Sequence, residues 1–65
     1  MGFARRELEE ALVAIDSTIG KCEKAQTKLK PGTAQHTLLV RRIRALNVAS
    51  VLIRRELESL GPVEG

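Results

Sequence analysis

The sequence predicts an all-α protein built as an antiparallel two-helix hairpin, and three observations predict it. A single Pro-Gly break, Pro31-Gly32, separates two long stretches that contain no other proline. Both stretches carry apolar residues at alternating steps of three and four, the spacing of one helix face. The two apolar stripes also pair in antiparallel sense with a constant index sum.

The first helix is expected over about 3–29. Glu7, Glu9 and Glu10 stand near its start and Lys28 near its end, which suits the helix dipole. Lys30-Pro31-Gly32-Thr33 is the turn. Pro31 disfavours helix at Lys30, Gly32 admits a positive φ, and Thr33 can cap a new start. The second helix is expected over about 33–60 and stops at Gly61-Pro62. Pro62 has no N–H to give, so a simple left-handed cap is expected there rather than a Schellman pair. Residues 62–65 are expected as a frayed tail, and 1–65 as one domain.

The seam of the first helix is Leu8, Leu12, Ile15, Ile19, Cys22, Gln26 and Leu29. That of the second is His36, Leu39, Ile43, Leu46, Ser50, Ile53, Leu57 and Leu60. These are the a and d positions of a heptad pattern. Folded at the turn, Leu29 meets His36, Cys22 meets Ile43, Leu12 meets Ile53, and Arg5 meets Leu60. Each pair adds to 65. Turn length and both seams agree, as expected of a sequence that specifies one structure.

A hairpin needs only one apolar stripe per helix, and this chain has more. Ala11-Leu12-Val13-Ala14-Ile15 and the stretch Ala45–Ile53 are apolar nearly all round. A helix apolar on all sides is normally buried on all sides. An oligomer interface is therefore expected at Ala11, Val13, Thr18, Ala25, Leu38, Ala45, Val48, Ala49, Val51 and Leu52. Length points the same way. Below about 70–80 residues a single core rarely suffices without disulfides, a metal or oligomerisation. One cysteine and one histidine supply neither of the first two. Two hairpins closing as a homodimeric four-helix bundle, or a higher even oligomer, is the expected assembly.

The same residues weigh against chemistry in the chain itself. Cys22 falls in the seam as a small hydrophobe, and His36 at the turn as a solvated or capping residue. Glu9, Asp16 and Glu23 recur every seven residues, but the Glu-x-x-His pairing of di-iron bundles is absent. They read as a polar flank, with Glu9 expected at Arg54 and Asp16 at Asn47. Ser50 reads as a register device or a back-bond to Leu46. No catalytic, cofactor or metal residue is assigned, and no enzyme activity is expected. No run of 18 apolar residues occurs, and Met1-Gly2-Phe3-Ala4-Arg5-Arg6 has no signal-peptide core. The cytoplasm is the expected compartment, without membrane contact.

Charge divides by end. Residues 21–44 hold seven basic side chains against one acid, and the remainder holds four against seven. A basic turn end beside a partner's acidic open end favours an antiparallel assembly. The expected function is a small helical oligomerisation or protein-interaction module, with itself as first partner and another protein as second. The alternative is nucleic-acid binding, with Lys21, Lys24, Lys28, Arg41 and Arg44 contacting phosphates. In length and hairpin plan the chain resembles a plasmid-encoded RNA-binding four-helix bundle, with no shared motif.

Overall fold

The computed structural model describes residues 2–61. Two helices pack against each other, α1 over Arg5–Gln26 and α2 over Ala34–Ser59, with no strand among the described residues. The expected tail, 62–65, lies outside the described residues.

Both helices are shorter than their apolar pattern, and local hydrogen bonds explain each end. Ala4 caps α1, and the Glu7 carboxylate reaches back to accept from the Ala4 N–H at 3.1 Å, which leaves Phe3 outside the helix. At the other end the Thr27 hydroxyl donates to the Lys24 carbonyl at 2.7 Å. The N–H groups of Lys28 and Leu29 then turn to carbonyls three residues back, at 3.1 and 3.2 Å. This tightened last turn ends α1 at Gln26, so Lys28 and Leu29 are not helical. Thr33 is a cap rather than a helical residue, its hydroxyl accepting from His36 N–H at 3.2 Å. Leu60 likewise caps α2, and Gly61 follows at φ +79° with its N–H on the Glu58 carbonyl at 3.0 Å.

The turn has Pro31 before Gly32 at φ +88°, with Thr33 N–H returning to the Lys30 carbonyl at 3.3 Å. Proline followed by a positive-φ residue is the arrangement of a type II turn. A Cβ added at Gly32 would meet nothing within 4 Å. The cost of Gly32→Ala is therefore backbone strain alone. We expect about 1–2 kcal/mol of destabilisation, read as a lowered melting temperature with unchanged helix content.

Two cross-helix hydrogen bonds give the register. Ser50 Oγ donates to Asp16 Oδ1 at 2.9 Å, and the Arg5 guanidinium donates to the Gly61 carbonyl. Both joined pairs add to 66, so the helices run antiparallel with no slip between the middle and the open end, within one residue of the expected sum. Every seam residue from Leu8 to Leu57 is buried or half-buried, whereas Leu60, on the last turn, is exposed.

The hairpin is a rod, 48 × 19 × 15 Å, with a radius of gyration of 14.9 Å. A compact domain of this length would have a radius near 11 Å. Only Leu8, Cys22 and Ser50 are buried among the described residues, and no side chain there is completely buried. Two helices in one layer touch along one stripe each, so the other seam residues keep an edge open.

Candidate functional site

Asp16, Ser50 and Arg54 join on one flank of the hairpin. Beside its bond to Ser50, the Asp16 carboxylate receives Arg54 Nη2 at 2.9 Å, and Arg54 Nε approaches Ser50 Oγ at 3.4 Å. This corrects two expectations. Arg54 pairs with Asp16 and not with Glu9, and the Asn47 amide donates to its own helix, at the Ile43 carbonyl, 2.9 Å away. Helical side chains lean toward the N-terminus of their own helix. In an antiparallel pair, Asp16 and Arg54 therefore lean toward each other, while Glu9 leans away. Ser50 also reaches across to Asp16 instead of bonding back to Leu46. With a buried hydroxyl at its centre the cluster holds the register, but its charges are half in water. Ser50→Ala is expected to cost about 0.5–1.5 kcal/mol and Arg54→Ala less than about 1, measured by urea denaturation.

That flank orients the remaining surface. Residues on its opposite side form a face of small side chains: Ala11, Ala14, Thr18 and Ala25 on α1, with Leu38, Ala45, Ala49 and Leu52 on α2. Phe3, just before α1, lines shallow grooves at the open end with Leu8, Ala11, Leu52 and Ile53. A second groove, at the turn end, is lined by Leu29, Leu38, Leu39 and Arg42. Phe3, Leu38 and Leu52 expose 67, 60 and 55% of their surface. Four charges stand on this alanine face or at its rim, Glu7 and Glu56 toward the open end, Lys21 and Arg42 toward the turn, and all four are exposed.

The ten expected interface residues therefore fall into two groups. Ala11, Thr18, Ala25, Leu38, Ala45, Ala49 and Leu52 share the alanine face. Val13 and Val51 lie on the flank of Asp16, and Val48 points straight away from the seam. Each of these valines is at least half exposed. Phe3 was not among the expected residues. The sequence reading made it the first helical residue, whereas it precedes α1 and lines the open-end grooves with Leu8.

The basic residues sit around the turn half. Lys21 and Lys24 are on α1, Arg41 and Arg44 on α2, and all are exposed. Lys28 follows the end of α1, so it does not continue the helical row of Lys21 and Lys24. Among the described residues the ion pairs are Arg6 with Glu10 and Arg54 with Asp16, so none of these turn-end bases is paired.

Cys22 is a buried free thiol in the seam. Among the described residues no three His, Cys, Asp or Glu side chains cluster as metal ligands. No helix there is long and apolar enough to cross a membrane. Comparison with protein-family models, curated proteins and solved structures finds no match for this chain.

Proposed function

We propose that this protein is a self-associating helical hairpin, a non-enzymatic assembly module that closes as a homodimeric four-helix bundle. The observation that carries the reading is the exposure of Phe3, Leu38 and Leu52 over a face of alanines, with no side chain completely buried among the described residues. Burial of apolar surface is the main force that holds a fold together, and one seam supplies little of it. The rod's broad side, 48 × 19 Å, offers roughly 900 Å², close to the ~800 Å² per partner of a standard interface. Small side chains there let a second helix layer approach closely. Sedimentation at micromolar concentration is expected to give at least twice the 7.1 kDa chain mass. A monomer with a sharp thermal transition overturns the reading.

The unpaired bases of the turn end favour a second reading, binding of nucleic acid through phosphates. Lys24, Lys28, Arg41 and Arg44 lie off the alanine face and stay free when it is covered. Without aromatic side chains beside them, such binding would be non-specific and steeply salt-dependent. Retardation of mixed RNA and DNA across a salt series tests it. No retardation at low salt removes this reading and leaves the first standing.

A further inference from the structure

We propose that the edge of α2 farthest from the seam docks on α1 of another copy, a second contact that lies clear of the alanine face and joins hairpin pairs into larger assemblies. The inference rests on the self-association reading and adds to it a different surface. Gly20 sits inside α1, where a glycine costs helix stability. A side chain added there would meet nothing within 4 Å, so packing within the hairpin does not require a glycine. Residues 13, 16, 17 and 20 have the three-and-four spacing that encloses a hole on a helix surface. Val13 is more than half exposed, Ser17 is exposed, and Gly20 has no side chain, so this hole is open to a close approach.

The knob that fits it is Val48. It points straight away from the seam of α2, is more than half exposed, and stands seven positions from both Arg41 and Arg55. The hole is centred between Glu9 and Glu23, which are fourteen positions apart, as Arg41 and Arg55 are. Both spans are about 21 Å of helix. All four charged residues are exposed, and none is in an ion pair among the described residues. With Val48 seated in the hole, both glutamates therefore meet an arginine of the other copy without slip. Running α1 in the same sense as the partner's α2 sets Glu9 at the partner's Arg41 and Glu23 at the partner's Arg55. The opposite sense would bring Lys21 and Lys24 against the partner's Arg41 and Arg44, like charge against like. The contact joins two different surfaces, so it continues from copy to copy instead of closing as a pair. A single line of side chains buries little area, so it forms at higher concentration than the contact of the broad alanine face.

Sedimentation from micromolar to millimolar concentration at low ionic strength tests it. The wild-type mass should rise past the dimer, and added salt should reverse the rise. Gly20→Leu fills the hole and Val48→Glu removes the knob, so each should hold the protein at the dimer. Neither should lower the melting temperature, because leucine and glutamate are better helix formers than the residues they replace. A mixture of the two variants separates this contact from any two-fold one. Gly20→Leu keeps the knob and Val48→Glu keeps the hole, so together they should reach about twice the mass of either alone, or more. Growth of Gly20→Leu like that of the wild type, or no gain on mixing, overturns the contact. So does a wild type that stays a dimer at every concentration, and in each case the self-association reading stands. A wild-type monomer at every concentration overturns both.

Discussion

Ala49→Glu is expected to split the assembly while leaving the hairpin helical. Ala49 lies on the alanine face, half-buried against its own chain and off the seam. Glutamate is a good helix former, so the isolated hairpin loses little by the change. In the proposed dimer the new carboxylate would enter a close helix crossing, where it has neither a partner nor full hydration. That costs on the order of 3 kcal/mol, more than a hundredfold in the association constant. Mass and circular dichroism followed together on dilution check it: mass should fall to the monomer before ellipticity falls. A variant with wild-type mass and melting point would move the contact to the side of Val13, Val48 and Val51, each exposed by half or more.

Leu8→Ala is expected to have the largest effect within the hairpin. Leu8 is 6% exposed, and Phe3 and Ile53 lie around it. Truncating a buried leucine costs about 2–5 kcal/mol, set by how far the cavity collapses. Phe3 can fall into the gap, which puts the expected value near the lower end. A core of this size supplies only about 3–5 kcal/mol, so the variant should be largely unfolded wherever the wild type is only marginally stable. The layer also predicts a coupling. Leu57 lies opposite Leu8 in the register, so Leu8→Ala and Leu57→Ala should be non-additive, whereas Leu8→Ala and Ile43→Ala should add. Urea denaturation of the four proteins measures both. Additivity of the first pair would mean that the helices do not meet as the Asp16–Ser50 bond requires.

Leu12 and Ile53 make the same comparison one layer further in. Both are half-buried in the single hairpin. Their truncation costs should therefore rise with protein concentration if, as proposed, a second copy covers their open edge.

Much of the hairpin was legible in the sequence because it rests on local chemistry. The three-and-four spacing from Leu8 to Leu57 follows from 3.6 residues per turn, and the observed burial keeps to it. Pro31-Gly32 and Thr33 mark the turn because only certain residues tolerate a positive φ or offer a hydroxyl to an orphan N–H. Gly61 stops α2 for the same reason. Even the antiparallel index sum is local in origin, since a tight turn fixes the register of whatever follows it. The excess of apolar residues over what one seam needs was equally visible, and with it the expectation of a partner.

The tertiary structure decided what depends on direction and distance between the helices. Heptad spacing continues through Leu29, yet α1 stops at Gln26 because the Thr27 hydroxyl and two tightened N–H bonds take the carbonyls first. Asp16, not Glu9, takes Arg54, because side chains on antiparallel helices lean in opposite directions along the common axis. Phe3 comes to line a groove with Leu8 from a non-helical segment, which no periodicity describes. The ten expected interface residues separate onto different sides of the rod because two helices define a plane, and a sequence pattern does not say which side of that plane a residue falls on. Periodicity along one helix reports its own faces; which of those faces become one surface is settled only when the second helix lies beside it.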